Sequence, residues 1–216
     1  MKEETKKIVF VCTGNTCRSP MAEALFRSEM KRLRLSSVEV FSAGLSVVKG
    51  DGLNPYSAIT LAQNGLSLEN FHSTQLTDEI LDNAYAIVCM TERHRLALIE
   101  RQTRLFGGKN CDKIHSFYTL VGYEIPDPFG RDLDYYGVVF EKICTGLDKV
   151  CLGLKLVTER KVETEKPKKS VEEEKPIAKK RGRPRKNPEN TKSATGTQPK
   201  KRGRPKKIND PNGENI

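Results

Sequence analysis

Ile8-Val9-Phe10-Val11-Cys12-Thr13-Gly14-Asn15-Thr16-Cys17-Arg18-Ser19-Pro20 is the stretch on which the fold turns. The short continuous apolar run from Ile8 to Cys12 predicts a strand buried on both faces. The Thr-Gly-Asn-Thr run after it predicts a tight turn. Ser19 followed by Pro20 reads as a helix N-cap and the first helical position. Met21, Ala22, Leu25, Phe26, Met30 and Leu33 then recur at a spacing near 3.6, which predicts a helix.

The same alternation runs outward from this unit. Val38–Ala43 predicts a second strand, followed by a Gly-rich loop and a helix from Pro55 to Asn64 that stops at Gly65. Ala84–Met90 and Thr91–Gln102 predict a third strand and helix. Lys113–Leu120 predicts a fourth strand, then a loop bearing Asp127-Pro128-Phe129-Gly130 and a long helix from Asp134 to Val157. Strands alternating with helices imply right-handed crossovers and a doubly wound, parallel four-stranded sheet with helices on both faces. The folded domain is expected to span residues 1–157.

Charge divides the chain at the same place. Residues 1–157 carry 19 Lys+Arg and 19 Asp+Glu, whereas residues 158–216 carry 19 Lys+Arg against 9 Asp+Glu. The whole net charge of +10 therefore belongs to the tail, which points to a polyanionic partner for the tail alone. All six cysteines lie in the neutral part, without the density or the leader of a secreted disulfide scaffold. No apolar run approaches the roughly 20 residues of a membrane helix. These features predict a soluble, cytoplasmic protein. His72, His94 and His115 share no metal-ligand spacing with the cysteines and read as surface or packing residues, so neither a metal nor a cofactor is expected.

In open parallel sheets ligands bind beyond the carboxyl ends of strands, where a loop enters a helix. Cys12 to Ser19 is the first such turn. Its small residues let backbone N–H groups converge, Gly14 and Asn15 tolerate positive φ, and the following helix adds its positive end. Thr13, Gly14, Asn15, Thr16, Cys17 and Ser19 thus read as a loop for a phosphate dianion, with Arg18 able to grip two phosphoryl oxygens. A thiol at a helix N-terminus beside a cation is held as the thiolate, the form that attacks phosphorus, and Ser19 could donate a hydrogen bond to it. The bland alternative is a buried strand-end cysteine beside an ordinary turn. Asp127 is read as the general acid that protonates a leaving group, against the alternative of a common Asp-Pro turn starter. Phe129 reads as a pocket wall or a core residue.

The run Val11-Cys12-Thr13-Gly14-Asn15-Thr16-Cys17-Arg18-Ser19-Pro20-Met21-Ala22-Glu23, with Ser42-Ala43-Gly44 and Asp127-Pro128, resembles the signature of the low-molecular-weight protein tyrosine phosphatase family. The resemblance covers roughly residues 6–157. It implies a single flavodoxin-like domain in which Cys12 is the nucleophile, Arg18 binds phosphate and Asp127 is the general acid. Tyrosine-directed members usually carry an aliphatic residue where this chain has Thr16. That position, with Asp127-Pro128-Phe129-Gly130, resembles the bacterial protein-arginine phosphatase branch. A hydroxyl at the loop mouth can accept a hydrogen bond from a guanidinium, while an aliphatic side chain favours an aromatic ring. Thr16 and Phe129 are therefore the expected selectivity residues and phosphorylated proteins the expected substrates, phosphoarginine first and phosphotyrosine as the alternative. Cys17 reads either as a packing residue or as a resolving thiol for oxidised Cys12.

From Thr158 the periodicity stops. Residues 158–178 read as a disordered, charge-mixed linker and 179–216 as a disordered basic tail. Within the tail, residues 179–186 (KKRGRPRK) recur as 200–207 (KKRGRPKK), identical at seven of eight positions. Each centres on Arg-Gly-Arg-Pro and resembles the AT-hook: Arg181-Gly182-Arg183-Pro184 and Arg202-Gly203-Arg204-Pro205. The resemblance implies binding in the minor groove of A·T-rich DNA, where Gly lets the backbone approach the floor and Arg enters a narrow, electronegative groove. That would place the protein at the nucleoid. The alternatives are a solvated basic tail or a lysine-rich localisation signal. A second class of function remains beside the enzyme: a DNA-binding protein whose first domain only binds phosphate or a partner.

Overall fold

The computed structural model describes residues 5–157. The proposed linker at 158–178 and both repeats, including Arg181, Arg183, Arg202 and Arg204, lie outside the described residues.

Among the described residues, the strands β1 (Lys6–Cys12), β2 (Val38–Gly44), β3 (Ala86–Cys89) and β4 (Ile114–Ser116) form one sheet, in the order β2-β1-β3-β4. Every pairing is parallel, with Cys12 opposite Gly44 and Val11 opposite Cys89. Between strands run α1 (Arg18–Arg32), α2 (Pro55–Gln63), α3 (Asp78–Asn83) and α4 (Glu92–Phe106), and after β4 come α5 (Phe117–Val121) and α6 (Leu133–Gly153). This is the doubly wound sheet expected from the sequence.

The alternation along β1 shows why both faces need helices. Ile8, Phe10 and Cys12 point into one core with Met21, Phe26, Phe117, Tyr136, Val139 and Ile143 from α1, α5 and α6. Val9 and Val11 point into the other, with Leu76, Leu81, Ile87 and Leu98 from the side of α3 and α4. A strand buried on both faces has no polar alternation, and this is why the run Ile8–Cys12 is continuously apolar.

Two local expectations are corrected, and one element is new. Ser19 is not the cap of α1; Cys17 occupies that position, and no side chain caps the helix. Ser19 lies within the first turn, fully buried, with its hydroxyl turned to Cys12 Sγ. The fourth strand ends at Ser116, and Phe117–Val121 is a helical turn held by a capping box between Ser116 and Thr119. Finally, α3 was not anticipated; Thr77 caps it by accepting from the Ile80 amide.

Candidate active site

The carboxyl ends of β1, β2 and β3 meet at the loop Cys12–Arg18. The Leu45 and Ser46 amides donate to the Cys12 and Thr13 carbonyls at 3.0 and 2.9 Å, and the Asn54 amide donates to the Thr16 carbonyl at 2.9 Å. Gly44 makes this close approach possible. A Cβ there would stand 2.7 Å from the Thr13 carbonyl oxygen, 3.0 Å from the Asn15 nitrogen and 2.6 Å from Val47. Positive φ falls on Asn15, at 55°, and not on Gly14.

Asn15 is fully buried and organises the loop. Its amide oxygen accepts from the Thr74 N–H at 2.7 Å, and its carbonyl accepts from the Ser73 hydroxyl at 2.8 Å. Its NH2 group donates to the Ser19 and Ser42 hydroxyls, at 3.0 and 2.8 Å. Both amide hydrogens are thereby used, and each serine must direct its own proton elsewhere. Ser42 donates to the Glu23 carboxylate at 2.6 Å. Ser19 faces Cys12 Sγ at 2.9 Å, while its other acceptor, the Ala43 carbonyl, is at 3.5 Å. The Asn15 backbone N–H also donates to Cys12 Sγ, at 3.3 Å. The Asn15 backbone N–H and the Ser19 hydroxyl thus both stand against the sulfur.

The other cysteines differ. Burial pushes the Cys144 thiol up to about 11 and the Cys151 thiol up to about 12, and it raises Cys89 further. Raised in this way, these thiols are protonated near pH 7. Cys17, buried beside the loop, contacts the Tyr136 hydroxyl at 3.4 Å and the Thr16 hydroxyl at 3.5 Å. Burial first, and then the Cys17 contact, raises the Tyr136 hydroxyl above its ordinary value.

Arg18 is buried, and its Nη2 donates to Asp127 Oδ2 at 2.6 Å across a span of 109 residues. Its Nη1 reaches the Ile125 carbonyl at 3.5 Å. Its Nε–H is buried with no acceptor among the described residues. A buried guanidinium donor without a partner, on a side chain that lines the cavity, suits an incoming phosphoryl oxygen. The Asp127 carboxylate is half-exposed, held to its turn by the Phe129 amide at 3.2 Å. A cavity of about 310 Å³ is lined by Cys12, Thr13, Gly14, Thr16, Cys17, Arg18, Ser46, Val48, Asp51, Asp127 and Phe129. Phe129 is 74% exposed, so it is a wall and not a core residue. Every sequence-predicted site residue of the folded domain except Asn15 and Ser19 lines this cavity, and those two support it from behind.

Sequence reasoning passed over His94. Its ring bridges the loop and the third strand's end: Nε2 is 3.0 Å from the Thr13 hydroxyl and Nδ1 is 2.9 Å from the Thr91 hydroxyl. Burial, reinforced by the Arg18 charge, lowers the imidazole from its ordinary value to about 4, so it is neutral near pH 7. The available signal was its place three residues after the helix-capping Thr91, at the same end of the sheet as Cys12.

A buried cysteine at the first β-to-α turn, an arginine closing its loop and a distant Asp-Pro pair beside that arginine fit a class of cysteine-dependent phosphatases. The family model described as "Low molecular weight phosphotyrosine protein phosphatase" matches residues 7–168, and the chain belongs to this family. A protein named protein-arginine-phosphatase from Bacillus subtilis (strain 168) is 37% identical over 135 residues, covering 60% of this chain and 83% of its own length. The low molecular weight protein-tyrosine-phosphatase Wzb of Salmonella typhi is 34% identical over 140 residues, covering 62% of this chain and 84% of its own. The solved structure of YwlE arginine phosphatase from Geobacillus stearothermophilus superposes with a TM-score of 0.60 at 32% identity, covering 73% of this chain and 96% of that one. Among the described residues no helix is long and apolar enough to cross a membrane, and no His, Cys, Asp and Glu cluster could hold a metal.

Proposed function

We propose that this phosphatase acts on phosphoarginine in proteins, through a phosphocysteine at Cys12. The observation that carries the reading is the composition of the cavity wall, where the Thr16 hydroxyl, Asp127 and Phe129 stand beside Cys12. A hydroxyl and a carboxylate suit a guanidinium, which is cationic and rich in N–H donors. The relative named as an arginine phosphatase, at 37% identity, supports this choice, and the tyrosine phosphatase at 34% marks its rival.

Chemistry follows in two steps. The phosphoryl group enters the loop and draws Arg18 away from Asp127. Cys12 Sγ attacks phosphorus in line; the S–P bond forms as the P–N bond breaks, and Asp127 gives its proton to the departing guanidine nitrogen. Asp127 then takes a proton from water as its oxygen attacks phosphorus. The S–P bond breaks, phosphate leaves, and the two donors from Asn15 and Ser19 receive the restored thiolate.

Beyond the domain, we propose that the paired Arg-Gly-Arg-Pro cores tether the enzyme to A·T-rich DNA. Thirteen residues separate the repeats, and a flexible coil of that length spans roughly 20 Å, enough to reach neighbouring groove segments. The test of the whole proposal uses the full chain. Peptides of one sequence, bearing either phosphoarginine or phosphotyrosine, should show kcat/KM favouring phosphoarginine by about tenfold or more. A ratio at or below one rejects the substrate. In the same preparation, equal binding of A·T and G·C duplexes at every salt concentration rejects the DNA tether.

A further inference from the structure

We propose that Asp51, in the loop between β2 and α2, is a specificity-determining residue that supplies the negative charge facing a cationic leaving group. This rests on the phosphoarginine reading and deepens it. Asp51 lines the same cavity as Cys12, Thr16 and Phe129. Its side chain is half-buried and makes no hydrogen bond or ion pair among the described residues. The cavity's other carboxylate, Asp127, is already paired with Arg18. Asp51 is therefore the uncompensated charge at the mouth.

Its position is fixed through the backbone. The Asp51 N–H donates to the Val48 carbonyl at 3.1 Å, and its carbonyl accepts from the Ser73 N–H at 2.9 Å. The Ser73 hydroxyl in turn donates to the Asn15 carbonyl at 2.8 Å. One residue thus couples the backbone of Asp51 to the loop that holds the phosphoryl group. Neither contact uses the Asp51 carboxylate, which remains available to a ligand.

The electrostatic consequence differs in sign between substrates. A dianionic phosphoryl group in the loop is repelled by a carboxylate at the rim, whichever side chain carries it. A phosphorylated guanidinium brings a positive charge between the two anions and recovers that cost. An aryl ring brings none. Concave, partly desolvated walls keep salt from screening the interaction as fully as on an open surface. Asp51 should therefore help phosphoarginine and hinder phosphotyrosine.

The experiment measures kcat/KM of full-length wild type, Asp51→Asn and Asp51→Glu on the paired phosphoarginine and phosphotyrosine peptides. Asp51→Asn should lower the phosphoarginine value by about tenfold and raise the phosphotyrosine value by about twofold, with Asp51→Glu keeping most of the wild-type ratio. If both values fall together, or if the ratio is unchanged in Asp51→Asn, the residue only shapes its loop and the assignment is overturned. A wild-type chain that prefers phosphotyrosine overturns instead the phosphoarginine reading, and this inference with it. The two failures are read from different proteins and cannot be confused.

Discussion

The cavity has two unlike walls. On the phosphate-loop side, Asn15, Ser19 and Ser42 are buried and every donor of the Asn15 amide is used. On the acid side, Asp127 is half-exposed and Phe129 mostly so, and their loop is held by an Asx turn and by the Ile125 amide on the Met90 carbonyl at 2.9 Å. The first wall is built so that no polar atom can turn without leaving a buried partner unpaired. The second is built of groups that solvent can satisfy in more than one arrangement. The contrast is between a wall fixed by its buried hydrogen bonds and a wall that can adjust to what enters the cavity.

Breaking the rigid wall should cost most. Asn15→Ala removes three hydrogen bonds at once and leaves the Thr74 amide and two buried serine hydroxyls each one partner short, a loss of about 1–3 kcal/mol for each buried group left unpaired. Turnover should fall about a thousandfold for every substrate, with a clear loss in thermal midpoint. Retention of a tenth of the activity would mean that the network does not order the loop. Asp127→Asn addresses the other wall. It should slow substrates with poor leaving groups by about a hundredfold, yet leave activated aryl phosphates much less affected and the melting temperature nearly unchanged. Equal losses on both substrate kinds would remove Asp127 from the role of acid.

The smallest effect concerns His94, which joins the rigid wall through Thr13. With a folded-state value near 4 against 6.5 for an exposed imidazole, the unfolded chain binds the extra proton between those limits. The stability contributed by neutral His94 is complete above about pH 6.5 and is lost as pH falls toward about 4. Denaturant titrations across that range should show a steeper decline for wild type than for His94→Gln, with activity at pH 7 differing only a few-fold. Identical slopes would show that His94 titrates normally in the folded protein.

Most of the sheet could be read from sequence because buried parallel strands and long amphipathic helices leave strong periodic marks. Ile8–Cys12 and the helix after it carry such marks, and so does the alternation that follows. Phe117–Val121 does not: five mostly apolar residues fit a strand or one helical turn equally well, and only the Ser116–Thr119 capping box decides. Ser19 was misplaced because a Ser-Pro pair looks like a cap whether it stands before the first turn or inside it. The loop and its charged partners were legible because their spacing is local and chemically unusual. Asn15 as a hub was not, since its partners Ser42, Ser73 and Thr74 arrive from distant segments. Gly44 was noticed as part of a motif, but its reason is tertiary: the Thr13 carbonyl occupies the space a side chain would need.

The Arg18–Asp127 ion pair carries one more consequence, for inhibition. Any free anion that would settle in the loop must compete with a carboxylate for the buried guanidinium. A substrate faces the same competitor, but its side chain also gains the cavity wall. Inorganic phosphate has no such compensation. The pair thus acts as an intramolecular rival to small oxyanions.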